Sequence, residues 1–282
     1  MNSLCSTDRI IYDDIIEFMN KSINISIRIG EKYGLTAQDV KAIRSTGGKW
    51  GVDFFPTPND CVERFYGYLP KQYTKNASFL EGSAGLGSVS YWFHKKYPEM
   101  KIQSNELSDV LFEYMDKILP TNIERTNMDF FDINQRYDYI FLNPPFAKKI
   151  WVKFLLHTLQ MLNSNAKTRD WGYDEMRLFL IVPKSKGIEK DIVFDNWREL
   201  IKALGIPNKC FVDFVNELSG KNFKLSEFKK YMDDDDYNDD DDSIVEYIKN
   251  KHYFTFCDYI GDYKGFGGTF ATTSMFVIDI FR

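Results

Sequence analysis

Short apolar segments separated by helical patterns constrain the fold of this chain more than any other feature of its sequence. SFLEG from residue 78, YDYIFL from residue 137 and RLFLIVP over 177–183 are largely apolar. Residues 88–97 and 108–118 lie between the first two and have the spacing of helices. Strands that are apolar on both faces and alternate with helices indicate a parallel sheet covered on both sides. The sequence therefore predicts an α/β fold with a mostly parallel, doubly wound sheet.

The same alternation continues along the rest of the chain. Further predicted strands are KIQSNE, KCFVDFV and TSMFVIDIF at 101–106, 209–215 and 273–281, and further predicted helices are 59–68, 150–162 and 189–203. These elements place the predicted sheet and its covering helices within one main domain at 51–282.

Two regions are expected to lie outside the regular pattern. Residues 1–50 are predicted to be a helical N-terminal extension, because 9–20 and 36–44 have helical spacing and Thr36 is a candidate N-cap. Residues 216–268 separate the last two predicted strands and are too long for an ordinary connection. We therefore predict an insertion there, partly ordered and partly flexible.

The net charge of the chain is dominated by one short segment. The formal charge of the 282 residues is −5, and Asp233 to Asp242 contain eight aspartates, so the remainder carries +3. A mildly basic remainder is compatible with a nucleic-acid partner but does not by itself indicate one. The aspartate segment itself is predicted to be a solvated, flexible loop.

Cysteine and histidine usage indicates neither a metal site nor a disulfide framework. The four cysteines have no CxxC spacing and the chain has three histidines, so we expect no bound metal. No apolar run approaches the roughly 20 residues of a membrane helix, and the N-terminus lacks the pattern of a secretory signal. These features predict an intracellular protein, in cytoplasm or nucleus, with a viral or phage origin left open and no membrane partner.

A glycine-rich turn follows the first predicted strand. Its residues are Glu81, Gly82, Ser83, Ala84, Gly85, Leu86 and Gly87. Glycines allow the backbone to turn sharply and to approach a ligand. The segment is not GxGxxG, because Ser90 occupies the third glycine position, and this disfavours a nicotinamide cofactor. A tight turn without a ligand is the alternative.

Two acidic residues follow the glycine turn at the spacing of a nucleotide site. Glu106 ends the predicted strand KIQSNE, 21 residues after Gly85, where a carboxylate commonly binds ribose hydroxyls. Asp129 and Phe130 could bind an adenine amino group and stack on its ring. The alternatives are a solvated glutamate and a turn with a core aromatic residue.

The most specific motif is Asn143-Pro144-Pro145-Phe146 at the end of YDYIFL. The prolines remove backbone donors and restrict φ, so the carbonyl groups there are held rigidly. Asn143 adds a side-chain acceptor and Phe146 an aromatic face. This combination can bind a planar amino group, and a rigid strand-terminating turn is the alternative.

Together with the upstream segment FFPTPNDCVERFYGYL, these motifs resemble those of the γ-type DNA adenine-N6 methyltransferases, which belong to the S-adenosylmethionine-dependent amino-methyltransferases. The resemblance covers about residues 53–185, and KCFVDFV and TSMFVIDIF resemble the closing antiparallel strands of that family. It implies a Rossmann-like class I methyltransferase fold with an antiparallel last strand. It also implies S-adenosyl-L-methionine as cofactor and adenine in DNA as substrate.

The resemblance also implies a role for each motif residue. The cofactor would have its methionine part contacted by Phe55, Thr57 and Pro58, and its amino acid and sugar lined by Glu81, Gly82, Ser83, Ala84, Gly85 and Gly87. Its ribose hydroxyls would be bound by Glu106, and its adenine by Asp129 and Phe130. The target base would be held by Asn143, Pro144, Pro145 and Phe146. The candidate phosphate contacts are four lysines that follow the strands near this site: Lys148, Lys149, Lys184 and Lys186. The alternative is that these lysines are simply exposed surface residues without a ligand.

Other substrates and a non-catalytic role stay open at this point. NPPF also occurs in enzymes that methylate amino groups of RNA bases or of protein glutamine. A catalytically silent, methyltransferase-like subunit that binds nucleic acid is a further alternative. Because γ-type enzymes usually carry a target-recognition domain after the catalytic one, and this chain ends at Arg282, we expect specificity to come from the extension, the insertion or a partner subunit.

Overall fold

The computed structural model describes about two thirds of the chain in detail. The described residues are 22–32, 34–44, 57–69, 74–161, 175–184, 193–194, 201–202, 204, 206–219, 221–233, 256–264 and 272–281. The expected helix at 9–20, the site residues Phe55 and Lys186, and the aspartates after Asp233 lie outside these ranges.

The described helices form before, between and after the strands. They are α1 (Ile23–Lys32), α2 (Ala37–Arg44), α3 (Asn59–Glu63), α4 (Ser88–Lys96), α5 (Asp109–Ile118), α6 (Ile150–Met161), α7 (Asn208–Ser219) and α8 (Leu225–Asp233), with short 3₁₀ turns at Tyr66–Tyr68, Phe130–Asp132 and Ala147–Lys149. None of the helices in the described ranges is long and apolar enough to cross a membrane.

The described strands form one sheet. They are β1 (Ser78–Glu81), β2 (Lys101–Asn105), β3 (Glu124–Thr126), β4 (Tyr139–Leu142), β5 (Glu175–Pro183), β6 (Val193–Phe194), β7 (Phe256–Lys264) and β8 (Thr272–Phe281). Their order is β3-β2-β1-β4-β5-β8-β7-β6. Strands β1 to β5 pair in parallel, whereas β8 runs antiparallel to both β5 and β7.

Side-chain hydrogen bonds cap two of the helices where the sequence provides suitable residues. The hydroxyl of Thr36 accepts from the Asp39 backbone N–H at 3.1 Å, and the Asp39 carboxylate accepts from the Thr36 N–H at 2.8 Å. This reciprocal capping box confirms Thr36 as the N-cap of α2. Ser108 caps α5 by accepting from the Leu111 N–H.

Alternating side chains of each strand divide the core into two apolar layers. On β4, Ile140 and Leu142 join a cluster with α6, α7 and α8, while Tyr139 and Phe141 join a cluster with α1 to α5. A strand that is buried on both faces has no polar face, which explains why these segments are continuously apolar. The predicted doubly wound, Rossmann-like α/β fold with an antiparallel last strand is confirmed, with β8 between β5 and β7.

One predicted strand is a helix. KCFVDFV lies within α7, where Phe211, Val212 and Val215 are buried and Asp213 is exposed. The spacing of these buried residues is helical, and Pro207 accepts the first helical hydrogen bonds. The prediction was wrong because seven residues of a mostly apolar helical face resemble a buried strand.

Other differences concern the sheet beyond β5. Val193 and Phe194, within the predicted helix 189–203, form β6 and pair with β7. Strands β3 and β7 were not predicted, because β3 has only three residues and β7 contains two acidic residues and a glycine. Residues 256–264 of the predicted insertion therefore belong to the sheet. The domain boundaries themselves stay a prediction.

Candidate active site

The chain order of the parallel strands creates a crevice between β1 and β4. The chain proceeds outward from β1 to β3 and then returns to place β4 beside β1, with Glu81 opposite Phe141. Ligands of open α/β sheets bind at such a reversal, outside the carboxyl ends of the strands. The glycine turn follows β1 and the NPPF segment follows β4, so the sheet brings the two motifs to the same crevice.

A cavity of about 380 Å³ lies at this point. The predicted site residues that line it are Thr57, Glu81, Gly82, Ser83, Ala84, Gly85, Glu106, Asp129, Phe130, Asn143, Pro145 and Lys148. Six other predicted site residues lie in the described ranges but do not line the cavity: Pro58, Gly87, Pro144, Phe146, Lys149 and Lys184. Most of the predicted residues are thus brought together by the fold.

The glycine turn needs glycine for two separate reasons. Gly85 has a φ of +58°, in the left-handed region that residues with a side chain avoid. A Cβ atom on Gly82 would lie 2.6 Å from Cε2 of Phe130 and 2.7 Å from Cδ2 of Leu142. The first glycine permits the turn, and the second permits the backbone to pack against the cavity wall.

Glu81 connects β1 to the start of α4. Its carboxylate is buried and accepts from the Ser90 backbone N–H at 2.8 Å. Burial raises the pKa of this carboxyl from 4.5 to about 7, opposed by hydrogen bonds from Ser90 and Val89 and assisted by the negative charge of Glu106. The side chain therefore holds the glycine turn against the helix that follows it.

Glu106 holds the glycine turn from the other side. One carboxylate oxygen accepts from the Gly85 N–H at 2.7 Å and the other accepts from the Ser108 N–H at 2.8 Å. Burial raises the pKa of this carboxyl, and backbone hydrogen bonds from Ser108, Gly85 and Leu107 act in the opposite direction. A carboxylate oxygen accepts more than one hydrogen bond, so Glu106 can also accept from a ligand in the cavity.

Aromatic side chains form one wall of the cavity. Phe130 is buried and stacks on Phe154 with ring centroids 4.6 Å apart and an interplanar angle of 10°. Phe131, which is less buried, also lines the cavity. Asp129 accepts from the Phe131 N–H at 3.0 Å, which fixes the 3₁₀ turn that carries both rings.

The NPPF segment contributes Asn143 and Pro145 to the cavity lining. Asn143 is half-buried, and its Nδ2 donates to Oγ1 of Thr57 at 3.1 Å. Phe146 packs against the core cluster on the α1 to α5 side of the sheet. Directly after it, Lys148 and Lys149 have φ angles of +52° and +57°, a conformation that costs energy for residues with side chains.

The predicted phosphate contacts have different surroundings. Lys148 lines the cavity, and both Lys148 and Lys149 are exposed. Lys184 lies at the end of β5, where its Nζ is 2.7 Å from Oδ2 of Asp262. Lys148 and Lys149 are therefore better placed than Lys184 to bind an anion beside the cavity.

Sequence reasoning missed several residues of the cavity wall. They are Ser88, Asn105, Leu107, Leu111, Phe131, Ala147, Ile150 and Phe154. Leu107 is 57% exposed although it is a large apolar residue. Its position directly after Glu106 is the signal that could have identified it, since an apolar residue at a strand end beside a ligand site is a candidate contact.

Comparisons with solved structures found distant likenesses. The chain is similar to the methyltransferase subunit of a type I restriction-modification system from Streptococcus thermophilus, with 12% identity and a TM-score of 0.45 over 79% of this chain and 44% of that one. It is also similar to TYW2 of M. jannaschii in complex with AdoMet, with 10% identity, a TM-score of 0.40 and coverage of 83% and 84%. TYW2 of P. horikoshii in complex with MeSAdo has 13% identity, a TM-score of 0.38 and coverage of 82% and 64%.

The chain spans less than half the length of the restriction-modification subunit. No protein-family model matches the chain, and curated protein sequences gave no match. With TM-scores below 0.5, the likenesses to solved structures say nothing of the reaction. Within the described ranges, no group of three or more His, Cys, Asp or Glu side chains could hold a metal ion.

Proposed function

We propose that this protein transfers a methyl group from S-adenosyl-L-methionine to the exocyclic N6 of adenine in DNA. The observation that carries the proposal is the single cavity shared by the glycine turn, Glu106 and Asn143. The site for the methyl donor and the site for the target amino group are then adjacent. The chemistry needs that adjacency, because a direct transfer requires the two reactants to be aligned.

The cavity residues fit a nucleoside cofactor. The volume of about 380 Å³ falls in the usual range for small-molecule sites. Ser83 has a buried Oγ atom with no hydrogen-bond partner in the described part of the chain, which a ligand would supply. Glu106 would bind the ribose hydroxyls, Ser83 and Gly85 the amino acid and sugar, and Asp129 and the aromatic wall the adenine.

When bound, S-adenosyl-L-methionine supplies an electrophilic methyl group on a sulfonium. The protein's part is to hold the target amine. An exocyclic adenine nitrogen is a weak nucleophile, because its lone pair is delocalised into the ring. If the Oδ1 atom of Asn143 and the carbonyl of Pro144 accept from its two hydrogens, the nitrogen becomes more pyramidal and more nucleophilic.

DNA is the proposed partner, and the base would be flipped out of the duplex to reach the cavity. Exposed Lys148 and Lys149 beside the NPPF segment support contact with phosphate. Phe146 packs against the core cluster and does not line the cavity, so its stacking on the flipped base stays a prediction from the sequence alone. We also propose a partner subunit that contributes sequence specificity, and an intracellular setting.

The test is a parallel incubation of the protein with labelled S-adenosyl-L-methionine and DNA, RNA or protein. Label at N6 of adenine in DNA is the expected result. Asn143→Ala should lower transfer at least about 100-fold, the effect of removing one group that stabilises a transition state, while cofactor affinity is retained. Asn122→Ala, at an exposed asparagine away from the cavity, is the matched control.

Each other outcome of this incubation contradicts a defined part of the proposal. Label on RNA or on glutamine would replace DNA adenine by that substrate. Cofactor binding without label on any substrate would support the catalytically silent subunit. Equal transfer by Asn143→Ala and the wild type would remove Asn143 from its assigned role.

A further inference from the structure

Thr57 contacts the side-chain amide of Asn143. The two residues are 86 positions apart in the chain, and Nδ2 of Asn143 donates to Oγ1 of Thr57 at 3.1 Å. Thr57 is 4% exposed, so water does not compete readily for this hydrogen bond. Both residues line the cavity. The contact therefore joins the segment before α3 to the residue that follows β4.

The direction of this hydrogen bond determines what Asn143 offers to a substrate. The nitrogen and oxygen of a carboxamide lie on opposite sides of its Cγ atom, so a nitrogen directed at Thr57 places the oxygen away from Thr57. Only the oxygen can accept a hydrogen bond from a substrate amine. If the Asn143 amide were rotated by half a turn, its NH₂ group would take the place of its oxygen. That NH₂ group would face the hydrogens of the substrate amine and could not accept a hydrogen bond from them.

A threonine hydroxyl can hold the amide in either orientation, because it both donates and accepts. When its proton is given to an acceptor atom of a ligand in the cavity, the hydroxyl can only accept from Asn143. The amide nitrogen must then stay directed at Thr57. A ligand in the cofactor part of the cavity thus selects the orientation seen in the structure.

We propose that Thr57 is a positioning residue that holds the Asn143 amide with its oxygen presented to the target amine. The inference rests on the proposed methyl transfer for its functional consequence. It gives Thr57 a role beyond contact with the methionine part of the cofactor. The hydroxyl matters in this role, whereas the size of the side chain does not.

The test compares Thr57→Val, which removes the hydroxyl at nearly constant size, with Thr57→Ser, which keeps it. Thr57→Val should lower kcat about 10- to 100-fold, the range expected when a reacting group is misplaced. The dissociation constant of S-adenosyl-L-methionine, measured by calorimetry, should rise by no more than about 10-fold, the loss expected for the one hydrogen bond that the Thr57 hydroxyl gives the ligand, and kcat is therefore measured at saturating cofactor. Thr57→Ser should behave as the wild type in both measurements.

A second measurement does not depend on activity. A ¹H–¹⁵N correlation spectrum of the ligand-free protein contains the side-chain amide signals of Asn143. These signals are identified because they disappear in the spectrum of the Asn143→Asp variant. They should shift in Thr57→Val and stay in place in Thr57→Ser. If Thr57→Val does not fold, as judged by its thermal transition, Thr57→Ala takes its place.

Two results would overturn the inference. One is an unchanged Asn143 signal in Thr57→Val. The other is a weakened cofactor affinity with unchanged kcat, which would make Thr57 a cofactor contact only. If the wild type transfers methyl groups to no substrate, the proposed function fails, while the spectra still decide whether Thr57 positions the amide.

Discussion

At the scale of single residues, the site is held together by side chains that bind the backbone of other elements. Glu106 accepts from the backbone N–H groups of Gly85 and Ser108, and Glu81 accepts from that of Ser90. Asn105 donates to the Met128 carbonyl at 3.0 Å and accepts from the Thr126 hydroxyl at 2.9 Å. Such bonds fix the positions of the loops before any ligand binds, which lowers the ordering cost of binding.

Glu106→Gln is expected to weaken binding of S-adenosyl-L-methionine about 10- to 100-fold, because hydrogen bonds to a charged group are each worth about 1.5–3 kcal/mol. The amide keeps the size of the side chain but loses one acceptor, so a ligand hydroxyl or a backbone N–H is left unpaired. Calorimetry measures the dissociation constant. Glu113→Gln, at an exposed position of α5, is the control, and equal affinities in the two variants would exclude Glu106 from the cofactor site.

At the scale of elements, Glu81 couples the end of β1 to the start of α4. The carboxyl is buried where the first backbone N–H groups of the helix lack partners within the helix. The positive end of the helix favours a negative charge at this position, while burial disfavours it. Burial is the larger effect, since the pKa of Glu81 rises to about 7.

This pKa predicts the sign of a pH dependence. Between pH 4.5 and about 7, the folded protein keeps the proton on Glu81 while the unfolded chain loses it. The free energy of unfolding must therefore fall as the pH rises through this window, by up to about 3 kcal/mol. Glu81→Gln cannot lose a proton, so its stability relative to the wild type should increase from pH 5 to pH 8.

Urea denaturation at several pH values measures this difference. Glu99→Gln, at an exposed turn, should follow the wild-type pH dependence throughout. A constant difference between Glu81→Gln and the wild type over the whole window would show that Glu81 titrates normally in the folded protein.

At the scale of the whole molecule, the ion pair between Arg177 and Asp279 joins the parallel and antiparallel parts of the sheet. Arg177 on β5 and Asp279 on β8 are opposite each other in the ladder, and their side chains form two hydrogen bonds of 2.5 and 2.7 Å. The Arg177 guanidinium also donates to the Tyr68 carbonyl. Three separate parts of the chain therefore meet at one arginine.

Asp279→Asn should lower the free energy of unfolding by roughly 3 kcal/mol, because it leaves a largely buried arginine without its counter-charge. The double variant Arg177→Met, Asp279→Leu should recover much of this loss, since it removes both charges. Urea denaturation is the measurement, with Asp213→Asn on the exposed face of α7 as the control. A double variant less stable than Asp279→Asn would contradict the explanation.

Local patterns were sufficient for much of the fold and for most of the candidate site. Continuously apolar segments identify β1, β4 and β5 because strands buried on both faces carry no polar residues. The motifs following β1, β2 and β4 then fall at one edge, since the carboxyl ends of parallel strands lie together. The same reasoning was wrong for 209–215, where a short window does not distinguish a buried strand from a mostly apolar helical face.

What the sequence alone determined is the doubly wound class of the fold and the edge of the sheet at which its motifs meet. Only the tertiary structure decided that β4 lies beside β1, that β7 and β6 extend the sheet, and that Thr57 contacts Asn143. The physical reason is the range of the interactions. Burial and turn propensity act over a few residues and leave a pattern in the sequence, whereas strand order and side-chain contacts across 86 residues depend on how the whole chain packs.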